Sequence, residues 1–143
     1  MSGNQQRQHG RRTRDERGTA TAFVVGMAIT LLMCAGLVLD GGTALNARMK
    51  LADEVEQAAR AGAQEIDVDG LRGSGDPSLD EAAAEARARA FLTSRGYTVT
   101  DVRVTADTVT VAASDRVDTK LLSLINYNTF SISASATAEA VTQ

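Results

Sequence analysis

Residues 19–39 read TATAFVVGMAITLLMCAGLVL, 21 positions without a charge or a proline. As an α-helix rising ~1.5 Å per residue, such a run extends about 31 Å, which matches a bilayer hydrocarbon core of about 30 Å. Arg7, Arg11, Arg12, Arg14 and Arg17 crowd its amino side and Asp40 closes it, whereas residues 40–46 contain no base. Lys and Arg are enriched on cytoplasmic flanks, so the five arginines are a topology signal. The run predicts a single-pass helix in the cell membrane, with residues 1–18 cytoplasmic and residues 40–143 extracytoplasmic.

Three rival readings fit less well. A cleaved secretory signal has a shorter apolar region followed by small residues spaced A-x-A, but Ala44 and Ala47 stand three apart. A lipoprotein signal places its acylated cysteine just after the apolar run, and Cys34 lies deep within it behind Leu32 and Met33. The core helix of a soluble protein rarely runs this long without a charge in so small a chain.

Charge separates by side. Residues 1–18 carry a net +3 and residues 40–143 a net −6, for −3 overall across 143 residues. The outer part has room for one small domain with a modest core. It is acidic, and the chain has only five aromatic residues, so the basic surface with stacking aromatics that nucleic acid requires is missing. The sole cysteine, Cys34, lies in the span and the sole histidine, His9, in the tail. Residues 40–143 therefore cannot assemble a Cys/His metal site, a Ser-His-Asp triad or a Cys-His dyad. Neighbouring acids such as Asp53/Glu54 and Asp80/Glu81 point in different directions on a helix. We expect no enzymatic activity, no cofactor, no metal and no small-molecule substrate.

The tail, residues 1–18, is polar and without apolar periodicity, so it is expected to be disordered. Beyond the span, Gly41-Gly42 weakens helix and offers a hinge, although uninterrupted passage is the simpler expectation. From about 43 to 66, Ala44, Ala47, Leu51, Val55, Ala58, Gly62 and Ile66 recur every three or four positions opposite Lys50, Asp53, Gln57, Arg60 and Gln64, an amphipathic helix with a small-residue stripe. Residues 67–77, DVDGLRGSGDP, break the period and read as a flexible loop. The loop does not match a calcium-binding EF-hand, because Leu71 and Arg72 stand where a ligand and a glycine are needed. It has no Gly-Lys-Ser/Thr to hold a phosphate either.

A second helix is predicted over about 77–95, capped by Asp76 ahead of Pro77 and stopped by Arg95-Gly96. Its predicted face is Leu79, Ala82, Ala83, Ala86 and Ala90, with Phe91 and Leu92 at the edge. The period then becomes two. Strands are expected at about 97–105, with a slip near Asp101, at 108–113, and at 129–140, where Phe130, Ile132, Ala134, Ala136, Ala138 and Ala140 alternate with hydroxyl residues and Glu139. Residues 119–126, TKLLSLIN, suggest a short helix or a buried crossing segment. Helices followed by an antiparallel sheet make the fold class α+β.

Several strings resemble a known family: RDERGTATAF entering the membrane (14–23), LVLDGG leaving it (37–42), VEQAARAGAQ on the outer helix (55–64), and VTVAASD with LLSLINYNTFSISASATAEA near the carboxyl end. Together they are similar to the TadE/TadG-like proteins of the tight-adherence (Flp) pilus-assembly system. Residues 58–63, AARAGA, look like the TadE-type A-A-R-x-G-A, and Asp40-Gly41-Gly42 looks like the exit of TadG-type sequences. The resemblance implies a pilin-like fold and a role as a minor pilin or pseudopilin in a pilus or secretion apparatus. Its partners would be membrane lipid and other pilus subunits or copies of itself. It also implies a prepilin-peptidase cut between Gly18 and Thr19. The fifth residue after that cut is Phe23, where such substrates carry Glu, so we expect the tail to be retained.

A pilin-like helix must also pack beside its neighbours. Ala22 and Gly26 form a small-xxx-small pair suited to close helix approach within the membrane. Ala58 and Gly62 are expected to pack against the domain's own sheet. The competing function is a signal-anchored extracytoplasmic binding module that does not polymerise.

Overall fold

In the computed structural model, which describes residues 12–74 and 78–140, one helix dominates: α1 runs unbroken over Arg12–Gly62. At ~1.5 Å per residue it is about 76 Å long, more than twice a hydrocarbon core. Gly41 and Gly42 lie inside it without a break, so the paired glycines act as no hinge. Helix also begins within the stretch whose composition suggested disorder: α1 starts at Arg12, while Arg7 and Arg11 lie outside the described residues. The helix ends at Gly62, before the expected Ile66.

The 67–77 segment holds a short helix, α2 (Val68–Ser74), where a flexible loop was expected. Asp67 causes it. Its Oδ1 accepts the N–H groups of Asp69 and Gly70 at 3.1 and 2.9 Å, satisfying donors that the first turn leaves open. The connection is closed by Asp67 N–H to Ser78 O and Asp80 N–H to Glu65 O, each 2.9 Å.

Helix α3 spans Glu81–Thr93, shorter than the expected 77–95. Its cap is Asp80, whose Oδ1 accepts the Ala83 N–H at 3.0 Å. The proposed cap Asp76 and Pro77 lie outside the described residues. The buried face is Ala84, Ala88 and Leu92, not the expected set, since Ala82, Ala86 and Ala90 are exposed. Alanines occur in every phase of this helix and cannot fix its rotation. The two large apolar side chains do so, with Leu92 fully buried and Phe91 packed partly buried against the core.

Three strands follow: β1 (Thr98–Val104), β2 (Thr108–Asp118) and β3 (Thr129–Glu139), in an antiparallel sheet of order β1-β2-β3. The register slips between Val99 and Asp101, the bulge that the alternation suggested. Strand β2 runs beyond the predicted end at 113 to Asp118, where it pairs with Thr129. The β1–β2 turn lacks Asn-Gly or Asp-Gly and is built on Thr105 instead. Its hydroxyl accepts the Thr108 N–H at 3.0 Å and reaches Asp107 Oδ1 at 2.9 Å.

The carboxyl half of α1 and α3 lie together on one face of the sheet. Val109, Val111 and Ala113 of β2 and Ile132 of β3 are buried beneath Leu51, Val55, Ala58, Ala59 and Ala63 of α1 and Ala84, Ala88 and Leu92 of α3. The other face is hydroxyl-rich, with Thr110 and Thr137 hydrogen-bonded across strands at 2.8 Å. Helices on one side of an antiparallel sheet confirm the α+β class. The core is mostly alanine and valine, so its stability depends on close backbone approach. Gly62 is a tight point of this core: a Cβ there would meet Ala84 O at 3.0 Å and Val109 Cγ1 at 3.1 Å.

Arg95 fastens α3 to α1. Its Nε lies 2.8 Å from Glu54 Oε2 on α1, an ion pair off the hydrogen-bond axis with a solvent-shielded oxygen. The same guanidinium stacks 3.6 Å over the Phe91 ring and donates to Phe91 O at 3.1 Å. The arginine expected merely to favour the end of a helix thus ties two elements together.

Candidate functional site

Two features of α1 stand apart from the domain core. The first is its uncovered apolar length. Every residue from Gly18 to Ala35 is exposed, including Phe23, Leu31 and Leu32, and Leu37 and Leu39 are exposed as well. This is a helix long and apolar enough to cross a membrane. Its hydroxyls add little cost in lipid, since Thr30 Oγ1 donates back to Gly26 O at 2.9 Å and Thr43 Oγ1 to Leu39 O at 3.0 Å. Ala22 and Gly26 lie on this bare stretch, and beyond the adjoining backbone of α1 none of the described residues comes within 4 Å of a Cβ built at Gly26. Gly18 and Thr19, the residues flanking the implied cut, are exposed on α1. Arg12, Arg14 and Arg17 fall on its first turns.

The second feature sits where the apolar run ends. Asp40 is buried, and its carboxylate accepts three backbone N–H groups: Lys120 on Oδ1 at 2.9 Å, and Leu121 and Leu122 on Oδ2 at 2.9 and 2.7 Å. Those donors open a 3-10 helix, Leu122–Ile125, whose own cap position, Leu121, makes no side-chain cap bond. Asp40 therefore serves as its cap from another element. One turn earlier, Gly36 is buried because Leu121 lies on it: a Cβ there would meet Leu121 Cβ at 3.1 Å. The expected helix at 119–126 exists, but it is not a buried crossing, since Leu124 and Ile125 are exposed.

The three N–H groups, Leu122 foremost, hold the Asp40 carboxyl below the usual aspartate range, against a desolvation that opposes them; the Lys120 charge adds to the lowering. The sequence marks Asp40 as the charge that ends the apolar run and as part of the family-like Asp40-Gly41-Gly42 string, and neither reading assigns it a partner. The signal available was Gly36 and Asp40 on one helical face, a small residue and an acceptor one turn apart.

Ala58 and Gly62 are buried, and a Cβ at Gly62 would meet Ala84 of α3 and Val109 of β2. A groove of about 930 Å³ runs between α1 and β3, lined by Asp53, Glu56, Arg60, Gln64 and Glu139 among others. Its charges are solvated, with Arg60 paired to Glu56 one turn away. Among the described residues, no group of His, Cys, Asp and Glu is placed to hold a metal ion.

No curated protein and no solved structure matches the chain. Residues 18–65 do match a family model, Tad, described as "Putative Flp pilus-assembly TadE/G-like", which covers the bare apolar stretch, the Asp40 exit and the start of the domain helix. The similarity to the TadE/G-like pilus-assembly family thus falls on one segment, the membrane-length part of α1 together with its outer continuation.

Proposed function

We propose that this chain is a single-pass, membrane-anchored structural subunit of a Flp-type pilus or related secretion apparatus, which acts by subunit packing and not by catalysis. The observation that carries this reading is the bare stretch of α1 within the family match: residues 22–35 are exposed and largely apolar, and none of them is buried by another of the described residues. Such a surface calls for lipid, or for the same surface on another subunit. A helix held in the bilayer serves as an anchor before assembly, and its small residues Ala22 and Gly26 allow close approach to a neighbour afterwards. The arginine-rich tail stays in the cytosol and the α+β domain faces outward. Phe23 in place of a glutamate favours retention of the tail, so the native amino terminus should include Arg11 and Arg12.

Disulfide cross-linking of the full chain in native membranes tests the packing. With Cys34→Ser as background, cysteines introduced singly at Ala22, Gly26, Ile29 and Leu32 should form dimers with helical periodicity, strongest at Ala22 and Gly26. Absence of cross-linking at every position, with the protein still in the membrane fraction, would favour the non-polymerising binding module.

A further inference from the structure

We propose that the 3-10 segment, residues 121–127, is a second membrane contact, which lowers Leu124 and Ile125 into the outer leaflet beside α1 with Tyr127 at headgroup level. The inference rests on α1 spanning the bilayer and adds a lipid-binding element to the domain. Depth is fixed by the contacts already described. Gly36 lies one turn, about 6 Å, inside the point where Asp40 ends the apolar run, and Leu121 rests directly on it. Asp40 holds the following N–H groups at the exit itself. The segment therefore begins at the level of the last apolar turn of the span, not above it.

Its chemistry suits that depth. Residues 121–138 contain no charge. Leu124 is 83% exposed, Ile125 53% and Tyr127 52%, and Leu37 and Leu39, which lie between Gly36 and Asp40 on α1, are exposed as well. Lys120, at the upper edge, is placed to reach phosphate headgroups with its ammonium while its stem stays apolar. The backbone is also prepared for a medium without water, where unpaired polar groups are costly. The opening N–H groups are taken by Asp40. Leu124 N–H bonds Leu121 O at 3.2 Å, Asn126 N–H bonds Ser123 O at 3.0 Å, and Tyr127 N–H bonds Leu122 O at 3.1 Å. Ser123 Oγ donates to Lys120 O at 2.8 Å. Asn126 takes the left-handed conformation, φ 67°, that turns the chain back to β3. An apolar tip on a hydrogen-bonded turn, seated against a spanning helix, fits a lipid surface that continues the one around α1.

The test uses the full chain in vesicles of phosphatidylcholine and phosphatidylglycerol, with Cys34→Ser as background and an environment-sensitive fluorophore on Leu124→Cys, Ile29→Cys or Thr137→Cys. The label at 124 should show blue-shifted emission and lose intensity to lipids brominated near the headgroup more than to lipids brominated near the chain end. The label at 29 should show the reverse preference, and the label at 137 should respond to iodide in the water. If the label at 124 responds to iodide while that at 29 responds to bromolipid, the anchor is overturned and the span stands. If both respond to iodide, both readings fail. A label at 124 shielded from both quenchers would place protein, not lipid, over the segment and would also overturn the proposal.

Discussion

The Asp40 carboxylate caps a helical turn that lies 82 residues further along the chain, accepting the Leu122 N–H at 2.7 Å. This side chain connects the end of the apolar run of α1 to the loop between β2 and β3. Removing it leaves three N–H donors at a buried site without an acceptor. In Asp40→Ala, amide exchange at Lys120, Leu121 and Leu122 should accelerate by about an order of magnitude or more through local opening, while Val109 and Val111 in the core stay protected. Asp40→Asn should show a smaller effect centred on Lys120, because its amide oxygen can still accept the Leu121 and Leu122 N–H groups while its NH₂ group faces the Lys120 donor. Equal exchange in wild type and both variants would show that the clasp has no energetic weight.

The clasp is pH-dependent in a definite direction. The folded carboxyl is held below its ordinary value, chiefly by the Leu122 N–H, so its stabilisation is complete above the unfolded aspartate value of about 3.9 and is lost as the pH falls through the lower folded value. Protection of Leu121 and Leu122 should hold at neutral pH and decline only in acid below that range. The Asp40→Asn variant should lack that acid-dependent step.

Glycines in α1 should respond oppositely according to their surroundings. Beyond the adjoining backbone of α1, none of the described residues comes within 4 Å of a Cβ built at Gly41 or Gly42, so Gly41→Ala and Gly42→Ala should each stabilise by about 0.5–1 kcal/mol through helix propensity. Gly62 faces the fixed carbonyl of Ala84, and Gly62→Val should destabilise by about 1–3 kcal/mol through overpacking. Thermal unfolding in detergent micelles reads both signs.

How far the sequence alone reaches is clear from particular elements. The span and β3 were legible because each writes its environment into every residue: no charge for 21 positions in one, alternation of apolar and hydroxyl side chains in the other. The rotation of α3 was not, since alanine fits either face and few large or charged side chains, Leu92, Phe91 and the Glu85–Arg89 pair among them, distinguish the two. The end of β2 was missed because residues 114–118, SDRVD, lack an apolar alternation, although β3 pairs with all of them. The Asp40 clasp was hidden for a different reason. Its partners are backbone N–H groups, which every residue but proline has, so no side-chain pattern announces them.

The Arg95 clasp is measurable by a double-mutant cycle. Arg95 and Glu54 are partly shielded, and the guanidinium also stacks on Phe91. Arg95→Ala should cost about 1–2 kcal/mol, and the coupling to Glu54→Gln should be about 0.5–1 kcal/mol, reduced by salt. A coupling near zero would assign the loss to the Phe91 contact alone.

The central claim is that α1 passes through the bilayer with its domain outside, and labelling of intact cells by a membrane-impermeant maleimide measures it directly. In a Cys34→Ser background, Thr137→Cys should be modified in intact cells, whereas Gln5→Cys should be modified only after lysis. Modification of Gln5→Cys in intact cells, with Thr137→Cys protected until lysis, would contradict the account.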